Sequence, residues 1–303
     1  MADTLRGRII RSQSGFFTVA TAEGEITAHL RGRLKQGAKT GDLIAVGDWV
    51  ELALNTGDTP MIDRVEERQS KFSRMAPSAR GVYEQIIVAN PDQAVFVFAC
   101  ADPTPKTRML DRFLIIAEEQ GLPPLVVANK TDLVAFGEAE KLFGHYPELG
   151  YKLIYTSAKA GRGVDELRRA LAGKLSVFAG PSGVGKSTLL NAVQPGLGLA
   201  VSAVSEATGK GKHTTTVREL FALEGGGYVA DTPGLKALAL WDIEPEELDA
   251  YFPEMVPLVP QCQWSNCTHI EETGCAVLAA VEDGRIHPAR YDSYVKLRAG
   301  EGD

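Results

Sequence analysis

Gly180-Pro-Ser-Gly-Val-Gly-Lys186-Ser187 fits G-x-x-x-x-G-K-[ST], and Asn129-Lys130-Thr131-Asp132, about fifty residues earlier, fits N-K-x-D. The first pattern turns backbone N–H groups inward around phosphates at the start of a helix, whose dipole favours anions. The second reads a guanine base. In a Ras-like chain the phosphate loop comes first and N-K-x-D near the end. Here the order is N-K-x-D, then Thr156-Ser157-Ala158-Lys159, then the phosphate loop, then Asp231-Thr-Pro-Gly234. That is a circularly permuted guanine-nucleotide domain. The permutation changes what hangs from the segment that senses the γ-phosphate.

Each motif carries its own chemistry. Gly180, Ser182, Gly183, Val184, Gly185, Lys186, Ser187 and Thr188 are the expected phosphate-loop contacts. Lys186 reaches the β- and γ-phosphates and is a catalytic candidate, and the Ser187 hydroxyl ligates Mg²⁺. Asp132 accepts from the guanine N1 and N2 protons, Lys130 packs along the base, and Asn129 ties the motif to the phosphate loop. Adenine would leave a buried carboxylate unpaired, at a cost of about 1–3 kcal/mol. Ser157, Ala158 and Lys159 match the loop whose backbone N–H meets the guanine O6. Asp231 reaches Mg²⁺ through water, and the Gly234 N–H contacts the γ-phosphate. The next residue is Leu235, where Ras-like enzymes use a Gln to orient the attacking water. Between these elements lies Gly209-Lys-Gly-Lys-His213-Thr214-Thr215-Thr216, the place of switch I. Thr215 is the candidate cap on γ-phosphate and Mg²⁺. His213 either replaces the missing Gln or only contacts RNA or phosphate.

The flanking sequence sorts into three parts. Gly7–Arg11, Gly15–Ala20, Glu25–Leu30, Asp48–Leu52 and Met61–Val65 read as short strands split by turn residues, which suggests a small barrel of OB type; an SH3-like barrel reads much the same. Phe16, Phe17 and Trp49 are candidates to stack on bases, with Arg6, Arg8, Arg11, Arg31, Arg33 and Lys35 on phosphates, although Trp49 in an alternating strand also reads as core. Arg74–Gly81 reads as a linker. Residues 84–240 alternate strand and helix, with an amphipathic helix from Lys106 to Gln120 presenting Leu110, Phe113, Leu114 and Ala117 and stopping at Gly121. Repeated βα units imply a mostly parallel sheet with ligands at the carboxyl ends of its strands. Beyond 241, Cys262-x4-Cys267-x-His269-x5-Cys275 gathers three thiols and an imidazole within fourteen residues, a Cys₃His structural zinc pattern. Cys100, alone in an apolar strand, reads as core. The expected fold is therefore an N-terminal OB-like barrel over 1–78, a permuted α/β P-loop domain over 79–240, and a small helical zinc-binding domain over 241–303.

Composition sets the class. The chain is 44% hydrophobic and 23% charged, the balance of a soluble globular protein. Its greasiest run, Gln93–Cys100, is strand-sized rather than membrane-spanning. The N-terminus lacks the apolar core of a signal peptide, so a reducing cytoplasm is expected. The net charge of −7 hides a gradient. Residues 1–78 hold 11 Lys/Arg against 10 Asp/Glu, whereas 241–303 hold 4 against 13. RNA contact is thus expected from the first part, because the last part would repel a phosphate backbone.

Assembled, these motifs resemble the ribosome small-subunit-dependent GTPase A family (RsgA, also called YjeQ), over nearly the whole length. The resemblance implies a cytoplasmic, monomeric GTPase that binds GTP/GDP, Mg²⁺ and one structural Zn²⁺. It implies action late in maturation of the small ribosomal subunit, contact with its rRNA, and stimulation of hydrolysis by the subunit. Two departures stand out: the C-terminus Val295–Asp303 lacks a long basic tail, and Gly183 stands where many potassium-activated GTPases carry Asn. Two rival readings stay open on the residues alone. One is a GTP-dependent RNA-binding scaffold in which hydrolysis is incidental. The other is a permuted GTPase that acts elsewhere than on ribosomes.

Overall fold

The computed structural model describes residues 4–32, 43–54, 59–78, 81–199, 218–231 and 243–301. By its contacts the chain forms two compact units. One comprises Met1–Val95, Val164–Ala179 and Lys186–Leu235; the other comprises Phe96–Gly163, Gly180–Gly185 and Lys236–Asp303.

The first unit begins with five strands: β1 (Thr4–Gln13), β2 (Phe16–Thr21), β3 (Gly24–Leu30), β4 (Trp49–Ala53) and β5 (Met61–Val65). The order is β1-β2-β3-β5-β4, with β4 also paired to β1, so the sheet closes into a barrel. All of these pairings are antiparallel except β3–β5, where His29 faces Met61. This is the five-stranded Greek-key barrel expected of an OB-type domain. Strand alternation sends Ile9, Val19, Val50, Leu52 and Ile62 inward, each fully buried.

The stretch read as a linker is instead a β-hairpin. Strand β6 (Lys71–Ser78) pairs antiparallel with β7 (Gly81–Ala89) in its own two-stranded sheet. Pro77 is tolerated there because a two-stranded ribbon has only edges, where a missing N–H need not break a ladder.

The second sheet supplies the nucleotide elements. Its strands are β8 (Gln93–Ala99), β9 (Pro124–Asn129), β10 (Lys152–Tyr155), β11 (Lys174–Ala179), β13 (Phe221–Ala222) and β14 (Gly227–Asp231), in the order β10-β9-β8-β11-β14-β13. The β9–β10 and β11–β14 ladders are parallel, and β13 is antiparallel to β14. Every residue of β8 is buried, as a strand covered on both faces requires. The short β12 (Arg218–Glu219) pairs antiparallel with Ser12 and Arg11 of β1, and the Leu220 N–H donates to the Ile10 carbonyl at 2.8 Å.

Helix α1 (Thr107–Glu119) buries the expected Leu110, Phe113, Leu114 and Ala117, but also Met109, Asp111, Ile115 and Ile116. The extra face is covered by the C-terminal segment: Ile115 belongs to one core with Leu248, Phe252, Met255, Val277 and Tyr294. The described residues of that segment form two 3-10 helices (Pro245–Tyr251 and Val259–Gln261) and two α-helices. The remaining described α-helices are α2 (Glu138–Phe143), α3 (Val164–Leu171), α4 (Lys186–Val193), α5 (Ala276–Glu282) and α6 (Pro288–Arg298). Among the described residues no helix is long and apolar enough to cross a membrane.

Candidate functional site: a guanine-nucleotide centre and a Cys₃His cluster

Strand β9 ends on Asn129, and the chain then turns through Lys130, whose backbone is left-handed (φ 63°). That turn aims the polar atoms of the motif outward while Asn129 stays inside, 1% exposed. The Asn129 amide donates to the Val184 carbonyl at 2.9 Å, and its oxygen accepts from the Thr156 hydroxyl at 2.9 Å. One side chain thus joins the 129–132 turn, the phosphate loop and the 156–159 loop. Lys130 Nζ donates to the Asp102 carbonyl.

Asp132 is exposed and accepts from the fully buried Ser157 hydroxyl at 2.5 Å. This bond, ahead of all other influences, holds its carboxyl below the usual carboxylate range. An ionised acceptor is what the N1–H and N2–H edge of guanine requires. The 156–159 loop is itself pinned. Ser157 and Arg162 exchange backbone bonds of 3.0 and 3.1 Å, and the Ala160 N–H donates to Ser157 Oγ at 3.1 Å. Ala158 is half-buried and Lys159 exposed.

The phosphate loop needs glycine for steric reasons. Gly180 has φ +147°, and a Cβ there would lie 2.1 Å from the Val97 carbonyl oxygen. Gly185 has φ +91°, and a Cβ there would lie 2.8 Å from the Asn129 amide nitrogen. Ser182 and Gly183 are exposed, and Val184 is the buried anchor. Lys186 and Ser187 open α4 half-buried, followed by exposed Thr188. In the parallel β11–β14 ladder Asp231 sits opposite Phe178, two residues before Gly180, so DxxG begins beside the phosphate-loop strand. His213, Thr215 and Gly234 lie outside the described residues.

Cys262, Cys267, His269 and Cys275 come together with every ligand atom within 4.8 Å of the others. Cys262 Sγ is 3.9 Å from Cys275 Sγ, and His269 Nδ1 is 3.6 and 3.4 Å from those two sulfurs. A tetrahedral zinc with ordinary Zn–S and Zn–N bonds has S···S edges of about 3.8 Å and S···N edges of about 3.5 Å. The donor set therefore fits zinc in type and spacing. Three supports were not legible in the motif. Asp249 lies 3.1 Å from His269 Nε2. The Leu278 N–H donates to Cys275 Sγ at 3.4 Å. The Glu272 carboxylate accepts from the backbone N–H groups of Thr268 and Ile270 at 2.7 and 3.0 Å. The Thr268 hydroxyl, first among the causes, holds Glu272 well below the usual carboxylate range. Cys100 takes no part: it is 2% exposed, and burial pushes its thiol up to about 11.

The barrel's aromatic candidates separate. Phe17 is core at 6% exposed, whereas Phe16 is 48% exposed with its ring 4.2 Å from that of His29. Trp49 lies beneath the Arg6 and Arg8 guanidinium groups at 4.0 and 4.6 Å, so its face is occupied. Arg6 is also paired with Glu66, and Arg31 with Asp63. Arg11, Gln13, Ser14, Phe16 and Thr18 line a cavity of about 310 Å³ at the β1–β2 turn. Arg33 and Lys35 lie outside the described residues.

The profile of the RsgA GTPase family matches residues 65–241, and that of the RsgA N-terminal domain matches residues 6–62. The chain is 44% identical over 301 residues to the small ribosomal subunit biogenesis GTPase RsgA of Gemmatimonas aurantiaca, covering 98% of each. It is 41% identical to the protein of that name from Chlorobaculum parvum, again over 98% of each. Among solved structures, YjeQ from Thermotoga maritima aligns with a TM-score of 0.80 at 38% identity, over 98% of both chains. YloQ, described as a circularly permuted GTPase, aligns with a TM-score of 0.76 at 32% identity, over 98% of this chain and 95% of that one. The permuted motif order, the barrel and the Cys₃His cluster coincide with these matches along nearly the full length, and the chain belongs to the RsgA family of GTPases.

Proposed function

We propose that this chain hydrolyses GTP to GDP and phosphate while bound to the small ribosomal subunit, late in that subunit's maturation. The observation that carries the nucleotide assignment is the Asn129–Val184 bond, which ties the base-reading turn to the phosphate loop despite their inverted order. The names of the relatives support the ribosomal partner. The proposed nucleotide contacts are Asn129, Lys130, Asp132, the 157–159 loop, residues 180–188, Thr215, Asp231 and Gly234. Ser187 is proposed to ligate Mg²⁺, which when bound neutralises charge between the β- and γ-phosphates. Zinc is proposed to sit on Cys262, Cys267, His269 and Cys275 as a closed structural site. The cellular setting is the cytoplasm, the chain acts as a monomer, and the three parts are bounded as 1–78, 79–240 and 241–303.

RNA binds the barrel through exposed Phe16 and Arg11 at the β1–β2 turn. Strand β12, only two residues after the 209–216 switch stretch, is hydrogen-bonded to the same end of β1. Docking of RNA on that hairpin therefore bears on the segment that carries His213 and Thr215. His213 is proposed to position the attacking water, since Leu235 cannot. Intrinsic turnover is then slow, at or below the roughly 10⁻⁴–10⁻³ per second of a GTPase that has its Gln but lacks an arginine finger. GTP hydrolysis titrated with purified small subunits tests the reading. Multiple-turnover rates that rise steeply with subunit concentration support it. Rates indifferent to subunits favour the RNA-binding scaffold.

A further inference from the structure

We infer that Asp249 is a positioning residue of the metal cluster, a carboxylate that fixes His269 as an Nδ1 ligand. The inference rests on the zinc reading above. His269 is completely buried, with Nδ1 facing two sulfurs and Nε2 facing Asp249 Oδ2 at 3.1 Å. A neutral imidazole carries one proton, and an acceptor at Nε2 places that proton there. The Nδ1 lone pair is then left for the metal. The carboxylate thereby fixes both the tautomer and the orientation of the ring.

The backbone around the ring is held for the same end. His269 has a left-handed backbone (φ 62°), unfavourable for a residue with a Cβ. The Tyr291 hydroxyl donates to the His269 carbonyl at 2.8 Å, and the Tyr294 hydroxyl to the Thr268 carbonyl at 2.9 Å. Both tyrosines come from α6, and Asp249 from the 3-10 helix thirteen residues before Cys262. Two elements outside the Cys/His motif thus converge on its single histidine and the residue before it.

The experiment measures zinc affinity of the full chain by competition with a chromophoric chelator, together with the visible spectrum of the Co²⁺-substituted protein. Asp249→Ala should lower zinc affinity by about 10–100-fold and perturb the S₃N ligand-field bands. Asp249→Asn keeps an acceptor oxygen without the charge. It should fall between alanine and wild type, and it is the variant to read if the alanine chain does not fold. Glu246→Ala, an exposed acid on the same 3-10 helix, controls for net charge and should leave affinity unchanged. Wild-type zinc binding with Asp249→Ala within twofold of it, or an equal loss in Glu246→Ala, overturns the role of Asp249 alone. A wild-type chain that takes up no zinc overturns the zinc reading and this inference together.

Discussion

Replacing Arg290 should be strongly destabilising. Its guanidinium is fully buried and lies 4.5 Å from the centre of the Phe252 ring. It donates to Asp111 Oδ1 at 2.7 Å and to both oxygens of Glu254 at 2.7 and 3.3 Å. Tyr146 donates to the same Asp111 oxygen at 2.8 Å. Arg290→Met keeps most of the stem but leaves two carboxylates buried without their cation, a loss of about 3–5 kcal/mol. With a urea m-value near ~3 kcal/mol/M, the midpoint falls by roughly 1–1.7 M. The pH dependence has a definite sign. Burial pushes the Asp111 carboxyl up even with Arg290 beside it. An acid whose folded pKa is raised binds its proton more tightly folded than unfolded, so its ionisation weakens the fold as pH rises. Without the arginine the carboxyl shifts further in that direction. The deficit of Arg290→Met should therefore be largest at pH 8 and shrink toward pH 5. Adding Asp111→Asn and Glu254→Gln removes both orphaned charges and should recover most of the loss. Urea melts followed by far-UV circular dichroism supply the numbers. A loss under about 1 kcal/mol at pH 8, well below the range for a broken buried pair, or a deficit constant between pH 8 and pH 5, refutes the reasoning.

Asp132→Asn should shift nucleotide preference from GTP toward XTP, because the new amide donates to the C2 carbonyl of xanthine; an unchanged GTP/XTP ratio in binding assays means Asp132 does not read the base. His145 is 9% exposed and stacked on His287 at 4.2 Å, and burial, then the neighbouring His287 and Arg290 charges, holds its imidazole down at about 4. A base depressed in the fold gives stability that is present above its ordinary value near 6.5 and lost as pH falls toward 4, so His145→Phe should flatten the urea midpoint between pH 7 and pH 5; equal slopes for both chains contradict this. His213→Ala should abolish stimulation by the small subunit while leaving GTP affinity and subunit binding nearly unchanged, and stimulation that survives would move the catalytic group to the ribosome or to the backbone.

The parts legible in the sequence share one property: their chemistry is local. N-K-x-D, the phosphate loop and the Cys/His spacing each compress a site into a few residues, and strand alternation compresses the barrel. What stayed illegible joins distant residues of ordinary type. Arg290 reads as one more base on an exposed-looking helix, yet its acceptors lie 36 and 179 residues away. Nothing in Lys106–Gln120 announces that Asp111 and Ile115 are covered; the helix looks one-faced because the second face is buried by chain that returns after residue 243. The same return changes the meaning of the acidic C-terminus. Of its thirteen Asp and Glu, Glu254 neutralises Arg290, Glu272 caps the metal loop, and Asp249 orients His269. Only the Glu254–Arg290 pair cancels, and a net count already includes both; Glu272 and Asp249 keep their charge but hold it at fixed places beside the Cys/His cluster. A contact between this segment and the ribosome then depends on where the carboxylates stand rather than on their total.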